Sequence, residues 1–142
     1  MRGMARRAFL ALPLVALLGG MGGGPAMACF SDAARARLAD YDGSLVVAAR
    51  VDDVVVHGGG SRNQRIQVWL QVLCSDPPLA EDSLSFLFRN ADTGFLAPGR
   101  HYAILLGATR GEGTAYAVLD RMEAPEGEVA DRARACRAAM GP

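Results

Sequence analysis

From Ile66 to Cys74 and again from Leu84 to Phe88 apolar residues of this chain recur at every second position, the spacing of strands with one buried face. Ile66, Val68, Leu70, Val72 and Cys74 alternate with Arg65, Gln67, Trp69, Gln71 and Leu73. One side of this strand reads as core, Cys74 included, and the other mostly as solvent-facing. Leu84, Phe86 and Phe88 alternate with Ser83, Ser85 and Leu87 in the next strand. A longer run, Ser44 to Val56, carries Leu45, Val47, Ala49 and Val51 on one face and is interrupted by Asp52 and Asp53. Strands disfavour Asp, so a bulge or sharp bend is expected there. Tyr102, Ile104 and Leu106 share one face, as do Tyr116 and Val118. Gly107 to Gly113 between them predicts a glycine-rich hairpin loop. The small Ala residues opposite these apolar positions suit a tightly curved sheet.

The period changes at both ends. Val129, Ala133, Cys136 and Met140 recur at spacings of four, three and four, a helical stripe over about 126–140 that follows Pro125. Ser31 is placed to cap a short helix over Ala33 to Ala39, whose only large apolar residue is Leu38, so it reads as a surface flap. Loops are expected at His57 to Ser61, Ser75 to Pro78 and Asn90 to Gly94, and a Pro-Gly turn at Phe95 to Gly99. The pattern predicts a mainly β domain: a small five-stranded OB-like barrel, a short N-terminal helical segment, and a C-terminal helix packed on it. The predicted interior is Ile66, Val68, Leu70, Leu84, Phe86, Phe88, Tyr102, Ile104 and Val118. Trp69 falls on the polar face among glutamines. It is either a binding residue or a residue covered by one of the two helices.

Residues 1–28 change this picture. Arg2, Arg6 and Arg7 precede an apolar run from Ala8 to Leu18, and Ala26-Met27-Ala28 follows, the form of a secretory signal cleaved before Cys29. The run is shorter than the roughly 20 residues of a membrane span. The expected mature domain is 29–142, periplasmic or extracellular, with no membrane span. Of the 15 basic residues three lie in the signal, so 12 arginines stand against 15 acids in the mature part, a net charge of −3. That excludes the basic footprint of a nucleic-acid binder. Export makes a disulfide expected, and Cys29, Cys74 and Cys136 leave one thiol over. Ordinary cleavage lets Cys29 pair with Cys136 or Cys74. Lipidation of Cys29 would make a membrane-anchored lipoprotein and leave Cys74 to pair with Cys136.

The opening on Cys29, the strand Leu45-Val46-Val47-Ala48-Ala49-Arg50-Val51, the Arg65-Ile66-Gln67-Val68 strand and the Pro98-Gly99 turn leading into Tyr102-Ala103-Ile104-Leu105-Leu106 together resemble the netrin-type module. This is the module of the tissue inhibitors of metalloproteinases and their bacterial relatives. The resemblance covers Cys29 to about Arg121. It implies an OB-type barrel whose N-terminal cysteine is clamped by disulfides, with its amino group and carbonyl available to a protease's catalytic zinc. This chain opens Cys29-Phe30-Ser31 where the family usually opens Cys-x-Cys, and it lacks the family's cysteines before the Gly-turn strand and after the hairpin. Within the resemblance, Cys136 replaces them as the staple for Cys29, and Phe30 becomes the apolar tip of a rigid wedge.

No catalytic, metal or cofactor set is expected from the motifs. His57 sits in a glycine loop and His101 at a strand start, without ligand spacing. Asp52 and Asp53 are adjacent in a strand, where neighbours point to opposite faces. No serine lies in a nucleophile motif, and Gly58-Gly59-Gly60 lacks the Lys of a phosphate loop. The leading expectation is an exported non-enzymatic binding module that contacts a protein partner, with Cys29, Phe30 and Trp69 as partner-binding candidates. A cell-envelope lipoprotein with a structural or assembly role is the alternative, and a small secreted hydrolase is a third reading.

Overall fold

The computed structural model describes residues 29–58, 65–89 and 96–141, with the side chains of residues 88 and 89 excepted. The expected signal at 1–28, part of the loop after His57, the Asn90 to Gly94 loop and the side chain of Phe88 lie outside the described residues. Helix α1 (Asp32–Ala36) continues into a 3-10 turn (Arg37–Asp40). Five strands follow: β1 (Gly43–His57), β2 (Arg65–Asp76), β3 (Ser83–Arg89), β4 (His101–Arg110) and β5 (Thr114–Glu123). Helix α2 (Glu126–Ala139) completes the order. All paired strands are antiparallel in one sheet of order β3-β2-β1-β4-β5. The outer strands β3 and β5 come together across the opening without a ladder between them. The strand succession is that of an OB-like barrel, closed by packing rather than by hydrogen bonds on its last side.

Bulges decide which face each residue takes. In β1, Val51 is opposite Leu70 and Asp53 opposite Trp69, so Asp52 is the extra residue. The bulge expected at the Asp pair is present. Its effect is to keep Val51 and Val54 on the interior side although they are three residues apart. In β2, Cys74 is opposite Ala48 and Val72 opposite Ala49, so Leu73 is extra. This corrects the expected parity of Cys74. The bulge turns it away from the barrel interior and toward the layer beneath α2, where it packs half-buried. In β5 the extra residue is Leu119, which joins the same layer.

The core is therefore double. Leu45, Val47, Ala49, Val51, Ile66, Val68, Leu70, Phe86, Tyr102, Ile104, Leu106 and Val118 fill the barrel, with Leu84 packed at its margin. Of the expected interior, Ile66, Val68, Leu70, Phe86, Tyr102, Ile104 and Val118 are buried here and Leu84 partly so. A second core lies between the outside of the barrel and α2. There Val46, Ala48, Ala103, Leu105 and Leu119 meet Val129, Ala133 and Cys136, with Met140 partly buried beside them. The first half of β1 and most of β4 are thus buried on both faces.

Two expectations about the hairpin and the flap are corrected. The loop expected over Gly107 to Gly113 contracts to 111–113, and Gly107 to Arg110 belong to β4. Gly107 is required inside the strand: a Cβ there would stand 2.6 Å from the Tyr41 ring, which packs flat on it. The N-terminal segment is more than a flap, since Ala34 is buried in the second core and Leu38 and Tyr41 pack against it. Ser31 caps α1 as expected, its Oγ accepting from the Ala34 amide at 3.1 Å. At the Pro-Gly turn, Gly99 takes φ 81°. The turn is bonded to β1 beside the bulge: Gly99 N donates to Val51 O at 2.7 Å and Val51 N to Arg100 O at 2.9 Å.

Candidate functional site

The outer side of the barrel is covered over β1's first half, β4 and β5, and among the described residues nothing lies over the rest. The ladders place the bare face row by row. Val55, Gln67 and Leu87 lie abreast on β1, β2 and β3; Asp53, Trp69 and Ser85 form the next row; Gln71 and Ser83 the one after. Trp69 is 39% exposed, Val55 36% and Leu87 45%. Trp69 is thus the diagonal neighbour of both Val55 and Leu87, within the reach of large side chains, while Gln67 stands between those two. Neither helix covers Trp69. Soluble chains ordinarily hide such groups, and a contiguous exposed aromatic and aliphatic patch with polar surroundings is the composition of an interaction surface.

The polar groups around the patch are already ordered. The Gln67 amide donates to Ser85 Oγ at 2.5 Å. Arg50 Nε donates to Asp52 Oδ1 at 3.0 Å, and Arg50 also donates to Gln71 Oε1. Beyond Gln71 a shallow depression of about 590 Å³ is bordered by Asp52, Glu81, Asp82 and Ser83. At the other end of the face His57 and Arg65 are abreast and exposed.

At the N-terminus, Cys29 and Cys136 stand at disulfide distance with their Cα atoms 5.2 Å apart. Ser31 N donates to Asp120 Oδ2 at 2.7 Å, tying the same segment to β5. Cys74 is the free thiol. It borders a cleft of about 540 Å³ with Val46, Asp76, Ala133 and Arg137. Arg137 there donates to Ser44 Oγ at 2.9 Å and lies 3.7 Å from Asp76. Phe30 does not form the expected apolar tip: it is 5% exposed and sits in the second core. Burial under the helix layer gains more for a phenyl ring than projection into water, and Ser31's bond to Asp120 turns the chain inward at that point.

The other candidates do not assemble a reaction centre. His101 is opposite Arg50 on β1, and His57 lies seven residues further along that strand, roughly 23 Å away. Among the described residues no group of three or more His, Cys, Asp or Glu is placed to hold a metal ion. Among the same residues no helix is long and apolar enough to cross a membrane. Arg100 donates to Glu123 at 2.7 Å, and this bond raises the affinity of the guanidinium for its proton above the ordinary value. Inside the barrel end, the Arg121 guanidinium lies 5.5 Å from the Tyr102 ring centroid, and the Tyr102 hydroxyl accepts from Ala97 N at 3.0 Å. Alternation in β2 singled out Trp69; its partners Val55 and Leu87 were not recognisable without the ladders. No family model, curated protein or solved structure matches this chain.

Proposed function

We propose that this chain is an exported, non-enzymatic binding module of netrin-like type that meets a protein partner through the outer face of β1, β2 and β3. The observation that carries the reading is the uncovered Trp69 with Val55 and Leu87 beside it. A large aromatic held on a rigid sheet is a strong anchor because little side-chain freedom is lost on binding. Export is supported by the charged, apolar and small-residue order of residues 1–28, and by the Cys29–Cys136 pair, which fits an oxidising compartment. The pair would staple the start of the domain to its last helix. A protease-inhibitor-like role through Cys29 loses its apolar tip with the burial of Phe30, so the Trp69 face is the preferred site.

The test immobilises the mature chain and passes over it the exported proteins of its own source cell. A partner retained by the wild type should be lost with Trp69→Ala and kept when one Ala is added before Cys29. Retention that survives Trp69→Ala but is lost with the added Ala would transfer the function to the N-terminus.

A further inference from the structure

The charge of the bare face is gathered on one side of Trp69. Asp53 stands on the Trp69 row, Arg50 on the next row with Gln71 and Ser83, and Asp52 between them; Glu81 and Asp82 follow at the entry to β3. All five are exposed, four carboxylates against one guanidinium. That surplus equals the net charge of −3 of residues 29–142, so the other charges of that part balance. Arg50 is held by Asp52 and donates to Gln71. Asp53, Glu81 and Asp82 make no ion pair among the described residues. Asp52, Glu81 and Asp82 border the depression of about 590 Å³ beside Gln71. The opposite end of the face carries the exposed Arg65.

We propose that the occupant of this face is an extended segment of a protein partner, with an apolar side chain seated on Trp69 and an arginine two positions along seated in the acidic depression. Gln71 lies two residues from Trp69 on β2, as Ser83 does from Ser85 on β3, a step of roughly 7 Å. An extended chain repeats its own same-side side chains at that step, so the two seats match its alternate positions. Val55 and Leu87 flank the apolar seat as the diagonal neighbours of Trp69. The planar guanidinium offers a fork of donors that suits facing carboxylates better than an ammonium does. Arg65 fixes the direction of the segment, because the reversed orientation would bring two cations together. The face measures about three strands by eight residues, or roughly 14 Å by 26 Å. That is short of a specific interface between two folded bodies and long enough for one extended segment.

This inference rests on the Trp69 face being the binding surface, and the experiment separates the two. Trp69 is the only tryptophan of the chain, so its emission reads this face alone. The probe is the capped pentapeptide serine-leucine-serine-arginine-serine, titrated into the purified mature chain up to millimolar concentration. Two further peptides carry citrulline or glutamate in place of the arginine. The arginine peptide should give a saturable change in emission. The citrulline peptide should bind about fivefold more weakly, the loss expected for an exposed charge pairing. Glu81→Gln with Asp82→Asn should weaken the arginine peptide by a similar factor, with circular dichroism and melting temperature unchanged. Glu81→Arg with Asp82→Arg should refuse the arginine peptide and take the glutamate peptide instead. Equal binding of the arginine and citrulline peptides, or binding indifferent to the changes at Glu81 and Asp82, overturns the inference while the saturable change still upholds the Trp69 face. No change in emission with any peptide also overturns it. The Trp69 face then stands if an exported protein captured by the wild type is lost with Trp69→Ala, and falls if it is not.

Discussion

The outer side of this barrel is two surfaces on one sheet. Under α2 the outward residues are small or aliphatic: Ala48, Ala103, Leu105 and Leu119, all buried. On β2 and β3 they are Trp69 and Leu87, with glutamines and serines between, and exposed. The difference is one of depth. Alanines let a helix backbone approach closely, so the second core can be filled by Val129, Ala133 and Cys136, themselves modest in size. A Trp at the corresponding level would hold the helix off. The covered half is thus built for permanent contact within the chain, and the bare half presents bulk where nothing in the described chain lies over it.

Removal of the helix has the largest expected effect. Truncation of 126–142 should expose the whole second core and turn the protein into an aggregate, checked by size-exclusion chromatography and light scattering. A truncated domain that stayed monomeric with an unchanged melting temperature would mean that the two halves are equivalent. Next in size is the Cys29–Cys136 pair, which spans 107 residues. If it is bonded, Cys29→Ala should cost up to about 4–5 kcal/mol by chain-entropy reasoning, and usually less in practice. Denaturant melts give that number. Non-reducing peptide mapping of the wild type shows whether the bond is there; an acylated Cys29, or a link between Cys74 and Cys136, would remove the staple. The same substitution on the two surfaces sharpens the contrast further. Leu105→Ala should cost about 2–5 kcal/mol, whereas Leu87→Ala should stay within about 0.5 kcal/mol, both read from urea unfolding. Equal costs would show that Leu87 is covered in solution. Between these two falls Ala103→Leu, which tests the close approach itself by overpacking and should cost about 1–3 kcal/mol. A stabilised Ala103→Leu would mean that the helix layer has room to spare.

Much of the fold was legible because alternation is a local signal. The buried Ile66, Val68, Leu70, Phe86, Tyr102, Ile104 and Val118, the bulge at the Asp pair, the stripe of α2 and the Ser31 cap follow from spacing and from the preferences of single residues. Of the candidate site, Trp69 was legible as an aromatic on a polar face. Its neighbours were not, since Val55 and Leu87 lie 14 positions before it and 18 after it in the sequence and only strand pairing sets them beside it. Periodicity also fails wherever one residue is inserted. Cys74 reads as interior until the bulge at Leu73 turns it over, and that bulge depends on pairing with β1, which no window within β2 contains.

The strand periods, the helix stripe and the small residues on one side of β1 and β4 are carried by neighbours along the chain and can be read without the fold. Which outer face is covered follows from packing in three dimensions. That choice depends on where α2 lands after β5, on Tyr41 packing against Gly107, and on Asp120 drawing the N-terminal segment inward so that Phe30 is buried. These contacts join residues far apart in sequence, and their energies appear only when the whole sheet has formed. The bare face at Trp69 is what remains of the sheet after those contacts are made.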